Sequence, residues 1–282
     1  MKKGTLLCMP PSPIRAELPL GECLLKDIFS DSMLSSPVVS IREMALVSEA
    51  ASLLPHYLET FTDSLVATRG GKPVGLVGGK EILCGVLKVP NSGFFYNNKV
   101  IDIMDSNLIV LERQTRLSNL LNEWRKTKRA FAIIPNQYHG YSAISARNIL
   151  ELGSTYMTDT KISEIPKKRI IFFRDDSTVG EIMTSMFENK SRKLILENSD
   201  LFINDRIIIE KIARDLNCLC NTKNFLDMKA NVFKLDVAKR ISGDATISEA
   251  SRMMLGMSSP YLIAQDQIIS PWDIAMTLDA KN

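Results

Sequence analysis

Histidine is nearly absent from this chain, and cysteine is sparse. The 282 residues hold two histidines, His56 and His139. Neither belongs to a cluster such as His-Glu-x-x-His, which removes most of the support for a metal hydrolase. The five cysteines, Cys8, Cys23, Cys84, Cys218 and Cys220, are odd in number and contain no Cys-x-x-Cys pair. They fit neither a disulfide framework nor a zinc ribbon, so a reducing cytoplasm is expected. Cys218 and Cys220 flank a single residue, and two thiols do not complete a tetrahedral metal site. Gly-x-Ser-x-Gly and Gly-x-x-x-x-Gly-Lys-Ser/Thr are missing, and Val77-Gly78-Gly79-Lys80 lacks the spacing that wraps a triphosphate. The usual nucleophile and phosphate-loop enzymes are therefore disfavoured. No apolar run approaches the roughly 18 residues of a membrane span. The net charge of +3 is too small to mark a dedicated nucleic-acid binder.

What remains is a composition of 45% hydrophobic and 24% charged residues, with a mean hydropathy of +0.01, typical of a globular protein with ample core. The start, Leu6-Leu7-Cys8, imitates a lipoprotein signal, but its apolar stretch ends at Pro10-Pro11, short of the roughly 7–15 residues required. Residues 1–20 read as an N-terminal arm. Beyond it, one pattern recurs. Apolar residues at i, i+3, i+4 and i+7 form helical stripes in Val47, Ala50, Ala51, Leu54 and in Leu117, Leu120, Leu121, Trp124. Two further copies begin at Val179 and Ile247, with Ser251 as one polar substitution. The period is roughly 60–70 residues, and four periods nearly fill the chain.

A short β-branched or aliphatic run precedes each stripe: Val38–Ile41, Leu108–Leu111, Ile170–Phe173 and the weaker Lys239–Ile241. Two apolar runs and a second helical start follow it. The unit is strand, helix, strand, strand, helix, an α/β (α+β) fold. Each unit also opens on a similar step, Lys26-Asp27-Ile28-Phe29, Ile101-Asp102-Ile103-Met104, Ser163-Glu164-Ile165-Pro166 and Leu235-Asp236-Val237-Ala238. Copy four carries Thr246-Ile247-Ser248-Glu249-Ala250 and then Ile268-Ile269-Ser270-Pro271-Trp272-Asp273.

On these motifs the sequence resembles the CBS-domain family. The resemblance implies four CBS motifs at 21–89, 90–155, 156–222 and 223–282, paired one with two and three with four into two pseudo-twofold Bateman modules. The organisation is similar to that of the gamma subunit of AMP-activated protein kinase and of stand-alone prokaryotic and archaeal four-motif proteins. Leu152-Gly153-Ser154-Thr155 reads as the link between modules.

A Ser/Thr-x-x-Asp step at a helix start offers a phosphate the backbone N–H groups, the positive end of the helix dipole and a hydroxyl, while the carboxylate can accept ribose hydroxyls. The same step can equally be a helix cap. Family geometry brings to Ser270 and Asp273 the residues Ser191, Arg192 and Lys193 on the phosphate side, with Phe173 and Leu194 near the base; Ile268 is a further ligand-binding candidate. Ser259 and Trp272 are further candidates, although Trp272 also suits packing against a neighbouring module. A secondary site would use Gly78, Glu81, Lys128 and Arg129. The copy-two cleft keeps Ser145 but has Asn148 for the acid, and Asp63 opposes phosphate there. In copy three Ile207 replaces the carboxylate and Asn204 the hydroxyl, so ribose hydroxyls would go unpaired. No metal site and no catalytic residue is expected.

The expected function is that of a non-catalytic, cytoplasmic energy sensor binding AMP, ADP or ATP as a regulatory ligand. Its output would pass to an unknown effector protein or through self-association, a homodimer included, without membrane or nucleic acid. The alternatives are an S-adenosylmethionine-binding module and a structural interaction protein with empty clefts.

Overall fold

A computed structural model describes residues 19–58, 64–156, 158–214 and 225–278. Cys8, Asp63, Cys218 and Cys220 lie outside these residues, as do the side chain of His56 and most of the expected arm. Leu20, at the arm's end, is completely buried in the core of copy two. Cys23 and Cys84 are free thiols.

Copy one runs β1 (Ser40–Arg42), α1 (Val47–Leu58), β2 (Ser64–Arg69), β3 (Lys72–Gly78) and α2 (Gly79–Lys88). In copy two the first strand shrinks to one parallel bridge, Val110 to Ile133. It is followed by α3 (Leu117–Thr127), β4 (Phe131–Pro135), β5 (Tyr141–Ser145) and α4 (Ala146–Thr155). Copy three has β6 (Phe172–Phe173), α5 (Val179–Glu188), β7 (Lys193–Leu196), β8 (Leu201–Asn204) and α6 (Asp205–Arg214). A further strand, β9 (Asp236–Val237), lies antiparallel on β8. Copy four has β10 (Lys239–Arg240), α7 (Ile247–Leu255), β11 (Leu262–Ala264), β12 (Gln267–Ile269) and α8 (Pro271–Leu278). In every copy the first strand pairs parallel with the second, and the second antiparallel with the third.

The stripes become buried faces because 3.6 residues per turn align them. Val47, Ala50, Ala51 and Leu54 are at most 1% exposed, and Leu117, Leu120, Leu121 and Trp124 are fully buried. Thr178 and Thr246 start their helices with reciprocal bonds to Glu181 and Glu249.

The short segments that open the copies are exchanged within each pair. Leu24 bridges Arg116 of copy two, while Lys99 bridges Leu46 of copy one. In the second pair, Lys161 bridges Thr246 and Lys229 bridges Thr178. Each copy thus caps its partner's first helix, which ties one to two and three to four. The opening turn of copy four is Ala230–Val232, not the expected Leu235–Ala238. Asp236 and Val237 are instead extended, because their backbone groups pair with β8.

Two small clusters fill the space between the sheets of each module: Val66, Leu76, Phe131 and Ile133 in one, and Ile195, Phe202, Ala238, Ile263 and Ile268 in the other. Two larger ones join the modules through their helices, copy one against three and copy two against four. Gly153 takes part in the second of these seams and does not mark a link. It lies inside α4, and a Cβ there would sit 2.7 Å from Ser251 Oγ on α7. A glycine is needed for that close helix approach.

Candidate functional site

In copies one to three the last helix starts on the residue after the third strand, and in copy four one residue, Ser270, intervenes; a similar junction is thus built four times, at Gly78, Ser145, Asn204 and Ser270. The side chain three residues on folds back over it. Glu81 accepts from the Gly78 N–H at 2.9 Å, Asn148 from the Ser145 N–H at 2.8 Å and Asp273 from the Ser270 N–H at 2.9 Å. In copy three the direction reverses, and Asn204 Oδ1 accepts from the Ile207 N–H at 2.9 Å. What distinguishes the clefts is the group brought from the partner copy.

In copy four, Ser270 donates to Asp273 from its hydroxyl as well, at 2.5 Å. Asp273 is buried, and its other oxygen receives the Lys168 ammonium from the segment leading into β6. Lys193, at the start of β7, lies within electrostatic reach of the same carboxylate. Burial pulls the Lys193 pKa down to about 8; Asp273 opposes that fall, and Lys168 and Arg192 add to it. Burial pushes Asp273 upward, but Lys193, Lys168 and the Ser270 hydroxyl outweigh it and leave the carboxyl below its ordinary value. The Lys193 ammonium also rests 4.9 Å from the centre of the Tyr261 ring. A cavity of about 520 Å³ opens beside Lys168, lined by Ile170, Phe172, Ile195, Ile263 and Arg240 among others. That volume falls in the range of small-molecule sites.

Several sequence-expected residues stand elsewhere. Phe173 and Leu194 face the helix-side core, because side chains alternate along a strand. Their neighbours Phe172 and Ile195 line the cavity. Ile268 is buried in the intersheet cluster. Trp272 packs on the seam between copies two and four. The Ser191 hydroxyl donates to the Lys193 carbonyl at 2.7 Å and shapes the strand start. Arg192 pairs with Asp205 at 2.7 Å. Asp205 in turn closes on Gly79 of copy one, where a Cβ would lie 2.8 Å from its Oδ2. Ser259 bonds Asp236, and its neighbour Ser258 accepts from Arg206 of copy three at 2.8 Å. Those contacts engage Ser259 with Asp236 and its neighbour with copy three, and none of them involves Asp273. Lys168 escaped the sequence reading, although the run Lys167-Lys168-Arg169 directly before the first strand of copy three was a visible signal.

In copies one and two the acid or amide at the junction is also partnered. Arg129 reaches from copy two to Glu81 and to Ser64 Oγ at 2.8 Å, with Asp105 at 3.8 Å. Lys128 is exposed and serves as the left-handed end of α3. In copy two, Ser145 donates to Asn148 through both backbone and hydroxyl. Among the described residues no group of three or more His, Cys, Asp or Glu could hold a metal, and no helix is long and apolar enough to cross a membrane.

No family model matches the sequence, and no curated protein matches it. Solved structures do. Protein MJ1225 from Methanocaldococcus jannaschii, described as a proposed archaeal homologue of g-AMPK, is 15% identical with a TM-score of 0.74, and the match covers 90% of this chain and 99% of that one. An uncharacterised conserved protein from Pyrococcus horikoshii is 12% identical with a TM-score of 0.54, over 88% of this chain and 98% of that one. A CBS-domain protein from Agrobacterium tumefaciens, 14% identical with a TM-score of 0.40, matches 49% of this chain and 98% of its own length.

Proposed function

We propose that this chain, folded as four CBS motifs in two Bateman modules, is a non-catalytic regulatory protein that binds AMP, ADP or ATP between copies three and four. The observation that carries the reading is the buried Asp273 at a helix start, faced by Lys168 and Lys193 from the partner copy, with Lys168 also lining a neighbouring cavity that offers Ile170, Phe172, Ile195 and Ile263. A carboxylate can accept a pair of ribose hydroxyls, whereas lysines and helical N–H groups suit phosphate. Phe172, Ile170 and Ile195 offer a base an apolar surface. The whole-chain likeness to a proposed g-AMPK homologue supports the sensor reading. Two lysines oppose the sulfonium of S-adenosylmethionine, so a nucleotide is the better match.

A ligand here would change how copies three and four sit on copies one and two, since helices from both modules share the two large cores. It signals only by favouring one arrangement over another. The output is received by a separate effector or by a second copy of the chain.

Calorimetry on ligand-free protein with AMP, ADP, ATP and S-adenosylmethionine tests the reading. Micromolar binding of a nucleotide is expected. Silence with every nucleotide would leave the structural interaction protein, and tighter binding of S-adenosylmethionine would make this its module.

A further inference from the structure

Asp273 is fully partnered before any ligand arrives. Ser270 supplies two donors to one oxygen, and Lys168 covers the other. These partners are held very differently. Ser270 is buried at the head of α8, whereas the Lys168 side chain is 54% exposed and stands outside any helix or strand. A buried carboxylate needs a compensating cation, so something must occupy Asp273 while the cleft is empty of phosphate. A half-exposed lysine pair is weak, however, and readily given up.

Resting on the nucleotide reading, we propose that Lys168 is a phosphate-operated latch on the ribose acceptor. It holds Asp273 in the empty cleft and transfers to phosphate when a phosphorylated ligand enters, which uncovers the carboxylate for the sugar. A bare nucleoside gives Lys168 no anion to move to and must displace it with neutral hydroxyls. The site therefore selects phosphorylated ligands at the ribose as well as at the phosphate. Lys193 stays beside Asp273 throughout and limits the charge left uncovered. The arginine that copy two brings to the copy-one cleft cannot work this way. Arg129 has a side chain 13% exposed and is bonded to Ser64 and Glu81 together.

Calorimetry of the full chain and of Lys168→Ala, with adenosine, AMP and ATP, separates the outcomes. The substitution is in an exposed connecting segment; a single cooperative melting transition verifies the fold, with a modestly lower midpoint expected from the loss of the Asp273 partner. Adenosine is expected to bind the variant a few-fold more tightly, while ATP loses roughly tenfold. Lys168→Arg should retain the wild-type preference. Parallel weakening of adenosine and ATP, or an unchanged ratio, would overturn the latch while leaving the nucleotide reading in place. Failure of the wild type to bind any adenine ligand would overturn both.

Discussion

In copy one the acid at the helix start meets an arginine, and in copy four it meets two lysines. The backbone junction is similar in both. The β2 and β7 strands start at equivalent places, with Ser64 opposite Gly78 and Lys193 opposite Asn204. Copy two starts its strand with Phe131, which is buried between the sheets, and two residues earlier it supplies Arg129. A guanidinium is a planar fork that can satisfy a hydroxyl and a carboxylate at once, whereas an ammonium on a flexible stem is a movable point charge. In one module the acid is thus bonded to a largely buried arginine, and in the other to a half-exposed lysine. The cations come from different positions of the partner copy: Arg129 lies two residues before its strand, Lys193 starts its strand, and Lys168 precedes the first strand.

The largest effect should come from breaking the Arg129–Glu81 pair. Arg129→Ala leaves Glu81 buried without its cation, and removing one partner of a buried pair costs about 3–5 kcal/mol. Urea denaturation should show that loss, and a second change, Glu81→Gln, should restore part of it. A loss near zero would mean that the two clefts are alike.

Next comes the acid of copy four. Asp273→Asn should weaken ATP binding by about 1.5–3 kcal/mol, seen by calorimetry, with little loss of stability. The fold should persist because Asn148 already fills the same position in copy two with the same two bonds. Normal binding combined with lost stability would show that Asp273 is only a cap.

The smallest effect is on pH dependence. Lys193 is depressed to about 8, so between neutrality and pH 9 the free protein loses this ammonium. Phosphate favours the charged form, so nucleotide binding takes up a proton and affinity falls as pH rises through 8. Calorimetry in buffers of different ionisation heat should detect the uptake. Lys193→Met should abolish it, and uptake that persists in this variant would assign the proton elsewhere.

The four-copy architecture was legible because its signals are short-range. Helical stripes, Thr-x-x-Glu starts and the Ser270–Asp273 step all span at most a few residues, and each formed where its spacing required. The candidate site was only half legible. The side on which Phe173 faces was not legible because β6 is two residues long, too short for an alternation to be read; Leu194, on the four-residue β7, also faces the helix-side core. Gly153 resembled a loop because a glycine that admits a neighbouring helix has the same letter as one that ends a helix.

By itself the sequence determined that four similar units exist, where each turns from strand to helix, and that copies one and four keep an acid there. Capping and amphipathicity are settled between residues a few positions apart, so the chain's order contains them. Only the tertiary structure decided which cation meets which acid. Lys168 and Asp273 are 105 residues apart, and Arg129 and Glu81 are 48 apart. They meet because exchanged opening segments and apolar intersheet clusters fix how paired copies face each other. Electrostatic pairing depends on distance in space, and that distance is set by the packing of surfaces no local pattern describes.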